Sequence, residues 1–373
     1  MFEFIDSPAK VPSIIRILLL SFEILITIIS FWYIRKKRKY SKDNNLIMAL
    51  LVILFTFFFF FYCTTSDYYS YRYRVHIAHV WGSMELVPQT IATLVNGNYD
   101  LFRAIIFGSA TLCVVICSKI FKANVVLVLL LWFSFFFDRT FYARATLAAA
   151  VYFVGIFLAS KKNKFYTALG IMIALSSFYF HKQMIIAIAA LPMLFIKVNR
   201  KNILPVAFVF FVFAIFFGLY AKNNPSILVD EDENGIIADK IKGYIESTES
   251  GRFDRFTFIG FIQLIFQYFC YYCPVYYISK TIIRNQKLMS NSIMKVYNIL
   301  LCLVAIATVF FVIFGQNNTF FYRTLLLSFI PNSILLVKLY YNRFLSRKTL
   351  MKVMIYFLIF HTSFWTASIL KLL

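Results

Sequence analysis

The sequence predicts an all-α, polytopic integral membrane protein of about twelve transmembrane helices, and three observations predict it. Hydrophobic residues fill 61% of the 373 positions and charged ones only 14%, well above the roughly 45–50% apolar content of soluble domains. The mean hydropathy is +0.76. The apolar residues run in blocks long enough to cross a bilayer, and Lys and Arg collect at every second break between blocks.

A spanning helix needs roughly 20 predominantly apolar residues. The first candidate, 12–34, holds Glu23 and closes on the basic run Arg35–Lys39 rather than on a small-residue cleavage site, so it reads as a span and not as a signal peptide. The second, 46–63, ends where a Tyr- and Arg-rich stretch begins, and the third, 101–119, runs from Arg103 to Lys119 and Lys122. Four short blocks follow at 123–137, 143–160, 165–180 and 183–197. At 1.5 Å per residue each covers only about 22–27 Å of a core of about 30 Å. Their connectors, Asp138–Tyr142 and His181-Lys182, then lie below one headgroup layer, where polar backbone must line protein or water. That geometry predicts an outward-opening cavity. The remaining blocks are 203–220, 257–279, 295–315, 320–340 and 350–370. The whole chain, 1–373, reads as a single transmembrane domain.

Charge predicts the orientation. The basic groups Arg35–Lys42, Lys119 and Lys122, Lys161–Lys164, Lys197–Lys201, Lys280–Lys295 and Lys338–Lys352 all fall on one side of the alternating spans. By the positive-inside rule that side is cytoplasmic, and both termini lie on the outer, periplasmic side. It carries 23 Lys and Arg against the single acid Asp43, whereas the other side holds 15 basic residues and is nearly neutral. The net charge of +22 is thus a topology signal aimed at membrane lipids, with no nucleic-acid partner implied. Only 6 of the 23 are Arg, against 9 of the 15 outside. Lysine suffices to anchor on anionic headgroups, whereas arginine offers a planar fork for phosphate or carboxylate. Chemistry is therefore expected outside.

Two outer segments are too long to be turns, and loops of that length are commonly functional. Residues 64–100 are read as a first outer loop carrying an interfacial or re-entrant helix, and 221–256 as a second, which passes through the acidic run Asp230–Glu233. The aromatic content of the first, Tyr68, Tyr69, Tyr71, Tyr73 and Trp81, suits an aromatic belt at the headgroups and a stacking surface for sugar rings equally well.

Arg103, Arg144 and Arg323 each fall in the first turns of helices that begin outside. A cation at a helix N-terminus is unfavourable unless an anion sits with it. A diphosphate held between N-terminal amides and arginine forks would satisfy both, and that reading is preferred for Arg144 and Arg323. For Arg103 the preferred reading is reach to lipid phosphates. His181, in Phe178-Tyr-Phe-His-Lys182 between two short spans, can take a proton from a sugar hydroxyl or pair with phosphate. A structural histidine bonded to a carbonyl is the competing reading. Glu85 and Asp67 are the carboxylate candidates, either as bases or as partners of Arg72 or Arg74. His76 and His79 are three apart but lack a completing thiol or carboxylate, so no metal site is expected. Cys270-Tyr-Tyr-Cys273 has redox spacing but sits inside an apolar helix without βαβ context, and a redox reading is set aside.

Several of these residues resemble the EpsG family of Wzy-like bacterial polysaccharide polymerases. The resemblance is carried by Ser66-Asp-Tyr68 with Tyr71, by Glu85 ahead of a long amphipathic segment, and by Arg144-Ala-Thr-Leu-Ala148 followed, after a span, a Lys-rich turn and another span, by Phe180-His181. Lys242-Gly-Tyr244 and Arg323 are similar to family positions more weakly. The first outer loop departs from the pattern by its many basic residues, which leaves open whether Arg72 or Arg74 takes a family role.

The resemblance implies a metal- and cofactor-independent membrane glycosyltransferase of the bacterial inner membrane. It would polymerise undecaprenyl diphosphate-linked oligosaccharide repeat units into O-antigen, capsule or exopolysaccharide, with a chain-length regulator as a candidate partner. On that reading Arg144 and Arg323 hold the diphosphate, with Arg139, Arg72 and Arg74 assisting. His181, Glu85 or Asp67 accepts the hydroxyl proton, and Tyr68, Tyr71, Trp81 and Tyr244 contact sugar. A flippase for the same lipid-linked oligosaccharide and an O-antigen ligase are the alternatives; the first is disfavoured by the lack of an internal repeat.

Overall fold

The structure is a computed structural model that describes residues 13–36, 47, 50–55, 67–81, 84–136, 143–196, 258–314 and 319–369. Among these residues every regular element is helical. In chain order they are α1 (Ser13–Lys36), α2 (Asp67–Trp81), α3 (Leu86–Leu94), α4 (Tyr99–Ile120), α5 (Val125–Phe136), α6 (Ala143–Ala159), α7 (Lys164–Ser176), the short α8 (Met184–Ile188), α9 (Phe258–Arg284), α10 (Asn291–Phe314), α11 (Thr319–Tyr341) and α12 (Arg347–Ile369). The expected blocks at 203–220 and 221–256 lie outside the described residues, and of 46–63 only 47 and 50–55 are described, as helix.

α5 is the central pillar. Its residues Val125–Phe135 are all buried, as befits a helix that is apolar all round. It packs against α1, α4, α11 and α12, and Phe133 stacks on Phe55 with ring centroids 4.1 Å apart. The surrounding helices turn apolar stripes outward: Leu25, Ile28, Ile29 and Trp32 on α1, and Leu101, Ile105, Leu112 and Ile116 on α4. Spacings of three, four and seven put each set on one helix face. Two helices among the described residues, Tyr99–Ile120 and Asn291–Val309, are long and apolar enough to cross a membrane, and Ile24–Arg35, Val125–Phe135, Arg144–Ala159, Met184–Leu194 and Leu325–Tyr341 are shorter apolar stretches.

Cross-helix hydrogen bonds gather the basic turns at one end of the bundle. Lys161 Nζ donates to the Ile120 carbonyl, Lys338 Nζ to the Lys122 carbonyl at 3.1 Å, and Ser292 Oγ to the Ser160 carbonyl at 2.8 Å. Tyr340 Oη donates to the Ile34 carbonyl at 3.2 Å. The C-terminal ends of α1, α4, α6 and α11 and the N-terminal end of α10 therefore meet. A lysine donating to a C-terminal carbonyl satisfies an orphan acceptor and complements the negative end of the helix.

The antiparallel pair α6/α7 matters most for the site, because it carries Arg144 at its entry and His181 just past its exit. It is closed by small residues. Gly155 and Ala159 on α6 face Gly170 and Ala174 on α7, four apart on each helix. A Cβ on Gly155 would collide with the Gly170 carbonyl and the Ala174 backbone, and one on Gly170 with the Gly155 carbonyl and the Ala159 backbone. Such reciprocal small-residue contact lets two backbones approach without a side-chain layer. Gly155→Ala is expected to destabilise the protein by about 1–3 kcal/mol through overpacking, seen as a lower melting temperature in detergent, whereas Ala168→Gly in the same helix pair should cost only a helix-propensity penalty of about 1 kcal/mol.

The seventh predicted block departs from expectation. Instead of a continuous helix over 183–197 there are five α-helical residues, Met184–Ile188, then a 3-10 turn, Leu191–Leu194. Pro192 explains the break, since it lacks an N–H and its ring clashes with the preceding turn. Neighbouring helices bond carbonyls of this segment: Tyr152 Oη donates to Ala187 O at 2.7 Å, and Asn298 Nδ2 to Ile196 O at 2.9 Å. A broken segment among apolar helices is admissible where protein groups satisfy it in this way.

Candidate functional site

Residues 64–100, expected as an outer loop with an interfacial or re-entrant helix, contain α2 and α3 with a tight turn after them. α3 begins at Glu85, whose backbone is extended (φ −61°, ψ 156°) and whose side chain makes no capping bond. Its carbonyl accepts from Gln89 N at 2.9 Å. Pro88 falls in the first turn, where a missing N–H costs nothing. A glutamate at a helix start usually serves its own helix. This one reaches across to two others.

Glu85 Oε2 accepts from Arg144 Nη1 at 2.5 Å, and Oε1 accepts from His181 Nδ1 at 2.9 Å. The Lys182 backbone N–H also points at Oε1, 3.4 Å away. The three side chains are buried to about nine-tenths or nearly so, with 8% exposure for Glu85, 7% for His181 and 13% for Arg144. His181 is fixed in its turn by its N–H on the Ser177 carbonyl at 3.2 Å and by Met184 N on its own carbonyl at 2.9 Å. Arg144 is placed by the start of α6, and His181 follows the 3-10 turn Ser177–Tyr179 that ends α7. The hairpin thus sets one member at each strut, and Glu85 bridges them.

The chemistry follows from the inventory of donors. Burial by itself raises the Glu85 carboxyl, but the His181 hydrogen bond and the charges of Arg144 and His181 outweigh it and hold the group well below the usual carboxylate range. Glu85 is an anion, and a carboxylate only accepts hydrogen bonds. In the neutral ring the His181 proton is therefore on Nδ1, which leaves Nε2 as the lone-pair nitrogen. Arg144 uses one guanidinium N–H on Glu85, from the five the group carries. With neutral imidazole the trio sums to zero charge; it gains one positive charge when Nε2 takes a proton.

The other candidates are placed as follows. Arg72 and Arg74 lie exposed on α2, and of the two readings left open for Glu85, it pairs with Arg144 rather than with either of them. Asp67, Tyr68, Tyr71 and Trp81 belong to α2 and Arg323 to the second turn of α11, but their side chains lie outside the described set, as do Arg139 and Tyr244 altogether. His76 and His79 both border the left-handed Gly97 turn (φ 72°), where a Cβ would sit 3.3 Å from His76 Cα and 3.5 Å from His79 Cβ. Among the described residues no three His, Cys, Asp or Glu side chains come together. Arg103, expected to reach lipid phosphates, is instead 4% exposed, with its guanidinium 5.6 Å from the Tyr99 ring centre. The burial follows from packing of α4 against α2 and α3, which the sequence placed in a loop. Tyr152 and Asn298, which hold the segment after His181, carry no sequence signal beyond being polar groups in apolar helices.

An apolar helical bundle with a buried arginine–glutamate–histidine cluster defines a membrane protein with ionisable groups held together in its interior. The chain belongs to the EpsG family, whose profile matches residues 46–372, a family of Wzy-like polysaccharide polymerases. Comparison with curated proteins and with solved structures gave no match. The family identifies a polysaccharide polymerase-like protein of polysaccharide biosynthesis, as the motif around Arg144 and His181 implied.

Proposed function

We propose that this protein elongates polysaccharide by transferring a growing chain from its lipid diphosphate to the non-reducing terminal hydroxyl of an incoming lipid-linked repeat unit, with undecaprenyl diphosphate as the carrier and the outer side of the inner membrane as the place. The acceptor O–H attacks the anomeric carbon of the growing chain. The bond from that carbon to the diphosphate oxygen breaks, and the electron pair leaves with the lipid diphosphate. The acceptor proton passes to His181 Nε2. Glu85 holds the ring in the productive tautomer and stabilises the imidazolium, the role a carboxylate plays beside histidine in acyl transfer. Arg144 faces the departing diphosphate and supplies the electrostatic stabilisation that is often the largest single contribution.

Glu85's simultaneous grip on Arg144 and His181 carries this reading. It couples a phosphate-binding group to a proton acceptor, which a chain transfer needs together. Arg323 and Arg139 are proposed as further diphosphate contacts, Arg72 and Arg74 as outer guides for the anion, and Tyr68, Tyr71, Trp81 and Tyr244 as sugar-stacking residues. Asp67 is proposed as an acceptor-hydroxyl contact rather than the base. The N- and C-termini are proposed to lie outside, with the lysine-rich end in the cytoplasm. The test is to incubate the purified protein with a synthetic lipid diphosphate oligosaccharide and separate the products. Dimers and longer lipid-linked oligomers are expected; unchanged monomer under conditions where the protein stays folded would overturn the assignment and favour a flippase.

A further inference from the structure

A second charged site lies at the other end of α6/α7, about 25 Å from Arg144 by the rise of α6. An open cleft of about 570 Å³ is bordered there by Lys161, Lys162, Lys164, Lys295, Ile171 and Phe195. Lys161 sends its ammonium to the Ile120 carbonyl, and burial followed by the charge of Lys122 pushes its pKa down. That leaves Lys162, Lys164 and Lys295 facing the cleft, for which no ion pair is present among the described residues. Glu85 and Asp100, the acids whose side chains are described, sit at the opposite end of the bundle.

Helix direction makes this crowding of cations more costly. Lys164 is the first residue of α7, and Lys295 lies in the second turn of α10, whose first residue, Asn291, also borders the cleft. A cation in a first turn, as at Lys164, opposes the helix dipole unless an anion sits with it. The cleft is also lopsided. One wall is lysine, whereas the other is Ile171 with Phe195, and Phe195, Ile196 and Phe165 are exposed large hydrophobic residues. A small soluble anion would use the first wall and leave the second wet. An amphiphile uses both.

We infer that this cleft seats the phosphodiester headgroup of an anionic phospholipid, gripped by Lys162, Lys164 and Lys295, with its acyl chains lying along Ile171 and Phe195. The lipid would tie three parts of the chain together: the α6–α7 turn, the end of the broken segment after His181, and the start of α10. Two of those parts lead directly to Arg144 and His181, so occupancy at this end steadies the cluster at the other. The inference is independent of the reaction proposed above, since binding is read without turnover.

The experiment is native mass spectrometry of the full chain in detergent, titrated with dioleoylphosphatidylglycerol, with dioleoylphosphatidylcholine, or with inorganic phosphate. Retention of one phosphatidylglycerol is expected in the wild type, weakened about a hundredfold in Lys162→Gln/Lys164→Gln/Lys295→Gln, on the basis of about fivefold per lysine near a charged surface. Lys348→Gln/Lys352→Gln, on exposed lysines of the same end, should bind as the wild type does. Equal retention in the triple variant and the wild type, with both melting at the same temperature, would overturn the site. Equal retention of phosphatidylcholine would show that the headgroup charge is not read, and displacement of the lipid by millimolar inorganic phosphate would make it a soluble phosphate site; either result refutes the lipid assignment.

Discussion

His181→Ala is expected to lower the rate of chain transfer by about 10²–10⁴-fold, the usual contribution of a positioned general base, while the protein remains folded. The measurement is the initial rate of dimer formation from lipid diphosphate oligosaccharide, alongside the polysaccharide ladder of cells carrying the variant at normal protein levels. The effect should appear in kcat far more than in KM, because a base acts on the proton that moves in the transition state. Glu85 keeps Arg144 and the Lys182 N–H when the ring is gone, and the melting temperature of the variant checks that the fold is retained. Arg144→Ala is expected to reach a similar loss by a different route: it removes the cation that meets the departing diphosphate and leaves the buried Glu85 with only His181 and the longer Lys182 N–H contact. Arg144→Lys, which keeps charge but loses the planar fork, should recover part of the rate. A ladder of undiminished length in both His181→Ala and Arg144→Ala would sink the catalytic assignment.

Much of this site was legible in the sequence because two of its members are tied to one local motif. Arg144 and His181 bracket a short helix, a lysine turn and a second short helix, and antiparallel packing of such a pair must bring its two outer ends together. Glu85 was legible as a carboxylate candidate but not as the link. It lies 59 residues from Arg144 and 96 from His181, while Arg72 and Arg74 stood much nearer along the chain. Sequence distance left Arg72 and Arg74 open as its partners, and the fold pairs it with Arg144 instead.

The fold was legible at the level of helices and opaque at the level of what each helix faces. Hydropathy marks α5 and the lipid-facing stripe of α4 alike, since a residue packed in the bundle and one packed against lipid are equally apolar. Nothing in Val125–Phe136 says that it is the central pillar. Pro192 was visible, yet the window of apolar residues around it read as one span, because hydropathy averages over a residue whose effect is geometric. The left-handed residues Lys122 (φ 53°) and Arg343 (φ 64°) at helix ends were hidden for the converse reason, as lysine and arginine carry no signature for that conformation.

Glu85→Gln is expected to have the largest combined effect on stability and rate. Glutamine preserves size, but it removes the negative charge from a buried Arg144, and breaking one side of a buried pair costs about 3–5 kcal/mol. It also undoes the tautomer. A carboxylate can only accept, so it holds the proton on Nδ1, whereas an amide can turn its N–H toward Nδ1 and leave the proton on Nε2, where the ring no longer serves as a base. The rate should fall by about 10²–10⁴-fold, as when a histidine loses its orienting carboxylate elsewhere. Glu85→Asp, shorter but still anionic, should retain more of both. The pH dependence separates this from a general packing defect. Because the folded carboxyl lies below its unfolded value, its stabilisation is present in full above the ordinary carboxylate range, roughly pH 4–5, and is lost only as pH falls through the lowered folded value. The difference in melting temperature between wild type and Glu85→Gln should therefore not shrink from pH 8 to about pH 5 and should close only in stronger acid. A gap that closed between pH 7 and pH 5 would refute Glu85 as the anion that holds the cluster together.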